Sequence, residues 1–423
     1  MATQEMKDSG LEWLGEIPSA WKIRKISSFY SLRSQKVSDK DYQPLSVTMN
    51  GILPQLENVA KTDNGNNRKL VRKGDFVINS RSDRRGACGI SPYDGSVSVI
   101  NTVLTPFDKA EPRYFNWLFH TENFADEFYK WGNGIVDDLW STRWQEMKKI
   151  SIPVPSINEQ IAIANFLDAK CAEIDALISD IEKQIETLQK YKKSVITEAV
   201  TKGLDSNVEM RASRVEWIGL FPSTWTITKI KNIATLSSGT TPNRSNPEYW
   251  NGNIPWVKTG ELKETYITEI EERISELALR NTSLKIYPKN TLLMAMYGQG
   301  KTRGMTGCLT ENSAINQACL AFTNLKDIYR DYLWLVLRAI YEPIRSTALG
   351  SGQPNLNSDL VSNFHIPLPD LSEQVQIAKI TQKKLLKIEE IIEYKMKQFR
   401  TLNTYKQSLI YEYVTGKKTV PNA

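Results

Sequence analysis

Two long segments of the chain repeat apolar residues at steps of three and four positions, the spacing that lines one face of an α-helix. The first segment begins at Ser156, where Ser156 and Glu159 fit a capping box, and ends at Gly203. About 46 residues at roughly 1.5 Å each predict a rod about 70 Å long. Its apolar stripe consists of Ile174, Leu177, Ile178, Ile181, Ile185, Leu188, Tyr191 and Val195.

The second segment repeats this design 214 residues later, with Asp370 and Glu373 at its start and Gly416 at its end. Because a helix with one apolar face needs a partner, we expect the two helices to pack against each other as a coiled coil. Gln184 and Gln398 lie at equivalent positions near the stripes, either buried to set the register or on the surface. The residues predicted to pair are Ile174, Leu177, Ile181, Leu188, Tyr191 and Val195 in the first helix and Ile388, Ile391, Phe399, Leu402, Tyr405 and Leu409 in the second.

Each helix is preceded by an insert of short β-type segments separated by glycine and asparagine, residues 11–155 and 215–369. Residues 76–79 and 291–294 are predicted to be buried strands, and each insert should end with one aromatic-rich helix, near 114–129 and 332–344. The fold class is therefore α+β, with two similar α/β domains. The predicted boundaries are 1–155 for the first domain, 156–205 for the first helix, 206–369 for a linker and the second domain, and 370–423 for the second helix and tail.

Each half of the chain begins and ends with a motif that also occurs in the other half, whereas the sequences between these motifs differ. The motif Glu-Trp-(Leu/Ile)-Gly-x-x-Pro-Ser-x-Trp occurs at 12–21 and at 216–225, and Ile-Pro-(Val/Leu)-Pro-x-(Ile/Leu)-x-Glu-Gln occurs at 152–160 and 366–374. One frame is thus used twice to hold two different inserts. We expect the difference between the inserts to carry the function.

Composition fits two globular units, since 423 residues with 24% charged and 40% apolar side chains are long for one core. No apolar run approaches the roughly 18 residues of a membrane helix, and the first ten residues lack the layout of a secretory signal. A cytoplasmic protein without membrane contact is expected. The four cysteines have no close spacing, and His120 and His365 have no acidic or cysteine neighbour, so no metal site is expected.

The net charge of +6 is unevenly distributed. Residues 68–85 contain seven basic and two acidic side chains, whereas residues 261–276 contain six acidic and two basic ones. One surface is therefore expected to meet phosphate and another to avoid it, although each run alone is also typical of a solvated face.

Two motifs that suggest chemistry lack residues that the chemistry requires. A phosphate loop needs glycine six residues before Lys301, where Ala295 stands. The sequence Asn-Pro-Glu-Tyr-Trp at 246–250 differs at Glu248 from the base-receiving motif of amino-group methyltransferases, and no glycine-rich cofactor loop precedes it. With no nuclease-like acidic cluster either, the chain is expected to recognise rather than catalyse.

The repeated motifs, together with Ser-Gly-Thr-Thr-Pro-Asn-Arg-Ser at 238–245 and Gly-Ser-Gly-Gln-Pro-Asn-Leu at 350–356, resemble the DNA specificity subunits of type I restriction-modification systems. The resemblance implies two target recognition domains, each reading half of an interrupted site in double-stranded DNA. It also implies antiparallel spacer helices that dock modification (methyltransferase) subunits. Methylation and ATP-driven cleavage would belong to the modification and restriction subunits, with S-adenosylmethionine, ATP and magnesium bound there and no cofactor in this chain.

Polar loops after the glycine-marked strands supply the candidate DNA contacts. Guanidinium groups suit guanine and carboxylates accept from cytosine, but any one of these residues is as well suited to phosphate or to its own loop. The candidates are Arg81, Asp83, Arg84, Arg85, Asn133 and Arg143 in the first insert and Arg244, Tyr297, Gln299, Lys301, Arg303, Gln353 and Asn355 in the second.

Two alternatives remain open at this level. One is the recognition subunit of a type II restriction-modification system with a bipartite site. The other is a coiled-coil adaptor whose domains bind protein or RNA. If the helices pair as predicted, residues 1–205 alone should form a dimer through the first helix.

Overall fold

The computed structural model describes residues 5–55, 65–134, 140–298, 300–347 and 355–421. The chain forms two compact units. Unit 1 contains Met1–Glu182 together with Met396–Ala423, and unit 2 contains Lys183–Lys395. Each unit thus includes one insert and half of each long helix, whereas the predicted boundaries treat each helix as a segment of its own.

Unit 1 is mostly antiparallel β-structure followed by three short helices and a long one. Its strands are β1 (Met6–Asp8), β2 (Glu16–Pro18), β3 (Lys22–Lys25), β4 (Tyr30–Leu32), β5 (Lys36–Val37), β6 (Leu45–Thr48), β7 (Gly51–Pro54), β8 (Arg68–Val71), β9 (Phe76–Asn79), β10 (Cys88–Ile90), β11 (Gly95–Ser98), β12 (Asn101–Pro106) and β13 (Ser151–Val154). Its helices are α1 (Pro112–Phe119), α2 (Glu122–Lys130), α3 (Trp144–Met147) and the start of α4 (Ile157–Lys202).

A four-stranded antiparallel sheet in the order β10–β9–β12–β4 forms the centre of unit 1, with a three-stranded β11–β8–β5 sheet beside it. Aromatic side chains fill the core of the unit. Phe119 of α1 lies with its ring centroid 5.0 Å from that of Phe76 in β9 and 4.5 Å from that of Phe124 in α2. The aromatic residues that mark this region in the sequence therefore bury the sheet face.

The structure has two helices where one was predicted in each insert. Thr121 interrupts the first because its side chain accepts a hydrogen bond from the amide of Phe124 and so begins α2 as a new helix. In unit 2 the equivalent region also divides, into α7 (Arg330–Ala339) and α8 (Tyr341–Ser346). In the first insert, the sequence signal for this break was a helix-capping threonine inside an apolar run, and it was missed.

Unit 2 has the same plan with different sheets. Its strands are β14 (Met210–Ala212), β15 (Leu220–Pro222), β16 (Thr226–Lys229), β17 (Thr235–Ser238), β18 (Trp250–Val257), β19 (Tyr266–Ile267), β20 (Arg273–Ile274), β21 (Leu292–Ala295), β22 (Thr306–Leu309), β23 (Ala314–Ile315), β24 (Cys319–Thr323) and β25 (His365–Leu368). Its other helices are α5 (Ile230–Ile233), α6 (Glu276–Asn281), α9 (Ser358–Asn363) and the start of α10 (Leu371–Val414).

The main sheet of unit 2 has five strands in the order β17–β24–β21–β22–β19, with β19 parallel to β22. A second sheet, β20–β18–β23, has no counterpart of the same order in the described part of unit 1. The predicted buried strands are both present, as β9 and, shifted by one residue, β21. The α+β fold class and the internal repeat predicted from the sequence are confirmed.

The repeated motifs form the same frame in each unit. The opening motif contains the second strand of the hairpins β1–β2 and β14–β15. The proline-rich motif forms a strand that pairs antiparallel with the strand after the hairpin, β13 with β3 and β25 with β16. Both ends of an insert are thereby fixed in one two-stranded ribbon directly before the long helix. Loops between these ends can differ without moving the frame.

The Glu-Gln pair at the start of each long helix attaches the helix to its insert. Trp21 donates its indole N–H to Glu159 at 3.3 Å, and Trp225 donates to Glu373 at 2.9 Å. The neighbouring glutamine binds backbone on both sides: Gln160 accepts from the amide of Glu111 and donates to Pro155 O. In unit 2, Gln374 likewise accepts from an amide, that of Tyr329, and donates to Pro369 O.

The long helices begin and end as the sequence predicts. Ser156 and Glu159 form the predicted capping box, with the Glu159 amide 3.3 Å from the Ser156 hydroxyl and the Ser156 amide 3.0 Å from the carboxylate. Asp370 caps α10 by accepting from the amide of Glu373 at 2.9 Å. Gly203 and Gly416 follow the helix ends with φ of +76° and +72°, a conformation that favours glycine.

Within unit 1, the start of α4 packs antiparallel to the end of α10. The rings of Phe166 and Tyr413 lie 4.5 Å apart, and further along α4 the carboxylate of Asp175 accepts from Lys406 at 2.6 Å. Tyr114 of the insert donates its hydroxyl to Val414 O at 2.9 Å. The insert therefore contacts the end of α10 as well as the start of α4.

Within unit 2, the end of α4 packs antiparallel to the start of α10 in the same manner. Lys192 forms an ion pair with Glu389 at 2.6 Å, and the backbone at Gly203 lies against Trp225 and Glu373. Tyr332 of the insert donates to Pro367 O at 3.1 Å. Because Asp175 and Glu389, like Lys192 and Lys406, are 214 residues apart, the two ion pairs are equivalent in the repeat.

Four of the twelve residues predicted to pair the helices lie on the surface instead: Leu177, Tyr191, Ile391 and Tyr405 are between 46% and 56% exposed. The reason is that, at each of these positions, the next residue along the chain also fits the helical spacing. That neighbouring residue faces the partner helix instead. Ile178 and Ile392 are half-buried, as are Lys192 and Lys406, whose ammonium groups reach a carboxylate. Of the other eight, Ile174, Ile181, Ile388 and Leu409 are buried, and Leu188, Val195, Phe399 and Leu402 are half-buried.

Candidate nucleic-acid interface

In unit 1, a cleft of about 590 Å³ lies between the β11–β12 turn and the residues that follow β9. Three cations line it, Lys69, Arg81 and Arg143. Exposed apolar side chains at the turn, Val99 and Ile100, form its rim together with polar groups. We call this the basic cleft; the remaining lining residues are Leu32, Ser80, Thr102, Ser141, Trp144 and Gln145.

Arg81 and its neighbours form a compact charged turn beside the basic cleft. The Nε atom of Arg81 lies 3.0 Å from a carboxylate oxygen of Asp83, and Arg84 approaches the same carboxylate at 3.9 Å. Asp83 is therefore held by two arginines, so its proposed use as a cytosine acceptor is weakened. Arg84 remains two-thirds exposed, whereas Arg85 pairs with Asp126 of α2.

Strand-like pairing brings Arg143 and Asn133 to the same region. Backbone bonds join Asn133 to Ser141 in both directions at 3.3 Å, and Arg81 forms a bridge with Ser141. Arg143 is exposed at the start of α3 and lines the basic cleft together with Arg81. The structure thus assembles residues from three separate stretches of sequence.

The basic run at 68–85 is not one surface, contrary to the prediction. Arg68 is buried, where it donates to the hydroxyl and carbonyl of Ser96. Arg72 pairs with Asp94 at 2.7 Å. Lys69 reaches the cleft, where it donates to Asn101 O at 2.6 Å and burial lowers the pKa of its ammonium group. Strand alternation explains this, since neighbours in β8 face opposite sides.

In unit 2, a cleft of about 710 Å³ has a different character. Its lining includes three cations, Arg244, Lys258 and Lys263, and three carboxylates, Glu261, Glu269 and Glu271, so that the charges balance. We call this the mixed cleft. Part of the acidic run at 261–276 therefore lines a concave surface instead of a convex solvated face.

Arg244 occupies one wall of the mixed cleft in a fixed position. Its guanidinium carbon lies 4.0 Å from the ring centroid of Trp250 and 5.0 Å from that of Trp256, and Nη1 lies 2.5 Å from a carboxylate oxygen of Glu272. Stacking and ion pairing together define the plane of the group. The sequence Asn-Pro-Glu-Tyr-Trp is thus a short turn that supplies one of the stacking rings, Trp250.

The carboxylates of the mixed cleft, and Glu272 just outside its lining, differ in environment. Burial raises the pKa of Glu272, but hydrogen bonds from Arg244 and Lys258 outweigh it, so that the pKa of this carboxyl lies below its usual value. Hydrogen bonds to Glu272 and Glu271 raise the pKa of Lys258. Burial raises the pKa of Glu261, whose oxygens accept from the amides of Lys258 and Glu271.

The other candidates in the second insert lie apart from the mixed cleft lining. The loop that contains Lys301 and Arg303 is tied to α8, because Tyr341 donates to Lys301 O at 2.6 Å and Arg345 donates to Arg303 O at 2.6 Å. The Lys301 side chain is exposed.

Tyr297 is 40% exposed after β21, and Asn355 is exposed next to Leu356, whose amide binds Met296 O. These two candidates are therefore neighbours. Gln299 and Gln353, also predicted to contact DNA, lie outside the described residues.

Sequence reasoning missed several residues that line the clefts. Lys69 and Gln145 in unit 1 and Lys258 and Gln317 in unit 2 are polar lining residues that were not among the candidates. Lys69 belonged to the basic run, but the side of the sheet on which its side chain lies depends on the strand register. No pattern in the sequence indicated that Glu272 would pair with both Arg244 and Lys258.

The described part of the chain shows no cluster of three or more His, Cys, Asp or Glu residues arranged to hold a metal ion. In the same part, no helix is long and apolar enough to cross a membrane. All four cysteines are buried and unpaired.

Comparison with known proteins identifies the family. The model of the type I restriction modification DNA specificity domain matches twice, at residues 18–187 and 222–398. The type I restriction enzyme MjaVIII specificity subunit of Methanocaldococcus jannaschii is 26% identical over 96% of this chain and 95% of its own length. The MjaIX specificity subunit of that organism is 30% identical over 43% of this chain and 41% of its own length.

Solved structures show the same fold. The HsdS subunit from Thermoanaerobacter tengcongensis matches 95% of this chain and 98% of its own with a TM-score of 0.53 and 14% identity. A chain from a study of complex assembly and conformational transition of the type I R-M system matches 95% of this chain and 99% of its own with a TM-score of 0.74 and 13% identity. Because the family model matches most of each insert and the first part of each long helix, this chain belongs to the type I restriction-modification DNA specificity family.

Proposed function

We propose that this chain selects the DNA site of a type I restriction-modification complex, with each insert reading one half of a bipartite, interrupted sequence. The observation that carries the proposal is one frame, repeated down to its Trp–Glu hydrogen bond, that holds two clefts of different chemistry. A duplicated frame with divergent contact surfaces is what reading two unlike half-sites requires.

The proposal makes the chain a non-catalytic subunit. Adenine methylation, translocation and cleavage belong to modification and restriction subunits, which bind S-adenosylmethionine, ATP and magnesium. The family supports this division, since the relatives named above are specificity subunits. The cytoplasm, where the DNA substrate lies, is the compartment that the proposal implies.

The long helices supply a docking surface for the modification subunits. Leu177 and Ile391 are exposed at equivalent positions of the repeat, and so are Tyr191 and Tyr405. The support for a contact surface is that the exposure of these apolar side chains recurs at equivalent positions of both helices. Their duplication supports two copies of one partner, one on each helix.

The basic cleft of unit 1 is the proposed phosphate contact. Lys69, Arg81 and Arg143 bring three cations to one concave surface without a carboxylate in its described lining. Such a surface gains affinity from any duplex by releasing counterions. The adjacent apolar rim, Val99 and Ile100, suits contact with thymine methyl groups.

The test is to map modified adenines in DNA from cells that express this chain with its modification subunit. The expected result is one two-part motif with an unread spacer. Exchanging residues 11–155 for the insert of a relative should change one half of the motif and leave the other half unchanged. Scattered modification, or a change in both halves, would count against the proposal.

Docking on the helices has a separate test. Replacing Leu177 or Ile391 by arginine should weaken co-purification of the modification subunit, and the double variant should abolish it. The matched control is Leu386→Arg, since Leu386 is an exposed leucine of α10 whose repeat equivalent is Ala172. Equal loss in the control would reject the proposed surface.

A further inference from the structure

The geometry of the mixed cleft points to Arg244 as a base-reading residue, which recognises guanine in the half-site contacted by the second insert. Glu272, Trp250 and Trp256 are positioning residues that fix the plane of the guanidinium. This inference rests on the proposed function and names one contact within it.

Both tryptophans hold the loop of Arg244 as well as its side chain. The indole of Trp256 donates to Thr240 O at 3.0 Å, and that of Trp250 donates to Asn243 O at 3.2 Å. The two rings meet edge to face at 5.2 Å. Arg244 is therefore fixed at its backbone by the same rings on which its guanidinium stacks.

The guanidinium keeps a free recognition edge despite these contacts. Its side chain is 54% exposed, and the hydrogen bond to Glu272 uses Nη1, one of three nitrogen donors. A planar fork held in one orientation is suited to the paired acceptors O6 and N7 of guanine. Preorganisation reduces the entropy that binding would otherwise lose.

The charge balance of the cleft favours a base edge over a phosphate. Glu272 pairs with both Arg244 and Lys258, and Glu271 pairs with Lys258, so two carboxylates neutralise two cations. A phosphate gains attraction from net positive charge, which this group of four does not offer. A guanine edge carries no net charge and requires only directed donors.

The experiment measures methylation by the assembled complex on duplexes that carry each of the four bases at every position of both half-sites. Arg244→Lys retains the charge but removes the fork. It should reduce discrimination at a single G·C position of the second half-site by about 5- to 150-fold, the range for one bidentate contact, and leave other positions unchanged. Glu272→Gln should give a smaller loss at that same position.

Controls separate base reading from a general defect. Arg280→Lys alters an exposed arginine of the same unit that pairs with Glu276 at 3.0 Å, and it should change no position. Discrimination at the first half-site reports the integrity of the complex in every variant. If Arg244→Lys impairs folding, the single-position effect of Glu272→Gln decides the question.

Several outcomes would overturn the inference. Unchanged discrimination in Arg244→Lys, loss spread over all positions, or Arg244→Ala weakening every sequence alike with a lower salt dependence would each remove Arg244 from base reading. These results leave the bipartite motif of the wild-type complex in place. A wild-type complex that modifies no two-part site would instead overturn the proposed function, and this inference with it.

Discussion

The two clefts differ in charge although the same frame carries both. The lining of the basic cleft of unit 1 contains Lys69, Arg81 and Arg143 and, among the described residues, no carboxylate, whereas the lining of the mixed cleft of unit 2 contains three cations and three carboxylates. Because net positive charge attracts every duplex and neutralised, oriented groups discriminate between bases, the clefts are suited to different tasks. We therefore expect the basic cleft to add more to affinity for any duplex and the mixed cleft to add more to discrimination between bases, while each insert still reads its own half-site.

The frame, by contrast, is nearly identical in the two units. Trp21 and Trp225 are both buried, donate to the equivalent glutamate and lie next to the glycine that ends a long helix. The difference between the clefts is therefore not a consequence of different support. It lies in the loops, where a change of residue does not alter how the insert joins the helices.

The largest expected effect tests whether the frames are equivalent. Trp21→Ala and Trp225→Ala should each destabilise their own unit by about 3–5 kcal/mol, because each removes a large buried ring and its hydrogen bond. Hydrogen exchange, resolved by unit, measures the effect where one global unfolding curve would mix two units. Met49→Ala, at a 72% exposed site in unit 1, should stay within about 0.5 kcal/mol. Strongly unequal losses of stability in the two units would show that the two frames are not equivalent.

The second prediction concerns the task assigned to the basic cleft. Arg81→Ala with Arg143→Ala should weaken binding to all duplexes alike and lower the slope of log K against log salt by about 2, one for each phosphate that the variant no longer neutralises. Binding by the assembled complex at several salt concentrations measures both quantities. The matched control is Lys170→Ala, an exposed cation of α4 paired with Glu173. Altered base preference without a change in slope would assign the cleft to base reading.

The third prediction attempts to convert the mixed cleft into a basic one. Glu271→Lys frees Lys258 from one of its two carboxylates and adds a cation to the lining. Non-specific binding should strengthen, the salt slope should rise by about 1, and the ratio of cognate to non-cognate binding should fall. Glu276→Lys, on α6 and outside the lining, is the control. An unchanged salt slope would mean that the mixed cleft does not face the DNA backbone.

The sequence predicted the frame better than the clefts, for a physical reason. The apolar stripes of the helices, the Ser156–Glu159 capping box and the glycines at the helix ends all depend on residues that are close together in the sequence. Contacts with distant residues therefore do not change them. Errors arose where two adjacent side chains satisfied the same spacing, as at Leu177 and Ile178, since periodicity alone does not choose between neighbours. The exposed member of each such pair recurs in both helices, and this recurrence is the observation that supports the proposed docking surface.

The contact residues were harder to predict because their availability depends on partners distant in sequence. Arg68 is buried against Ser96, Asp83 is held by its neighbouring arginines, and Arg85 pairs with Asp126. Arg244 was among the predicted DNA contacts and lines a cleft, but the rings and the carboxylate that orient it were not foreseen. Charge counts along the chain predict which residues are polar, not which of them remain free.

The smallest expected effect tests the equivalence of the two interhelical ion pairs. Lys192→Met and Lys406→Met should each cost less than about 1 kcal/mol, since the partner carboxylates, Glu389 and Asp175, are about half exposed. Hydrogen exchange in the adjacent helix segments measures the loss, with Lys190→Met as a control on the outer surface of α4. Effects above about 2 kcal/mol in only one of the pairs would show that the two ion pairs do not contribute equally to stability.

The same equivalence predicts how the first half of the chain pairs with itself. Since Asp175 and Lys192 repeat as Glu389 and Lys406, an antiparallel pair of α4 helices from residues 1–205 places Asp175 of each copy opposite Lys192 of the other. Asp175→Lys should weaken this dimer about tenfold because two ion pairs of modest strength are removed, and Asp175→Lys with Lys192→Asp should restore it. Sedimentation at graded concentrations measures the affinity. A dimer that the single reversal leaves intact, or that the double reversal fails to rescue, would show that α4 does not pair with itself in the register it uses with α10.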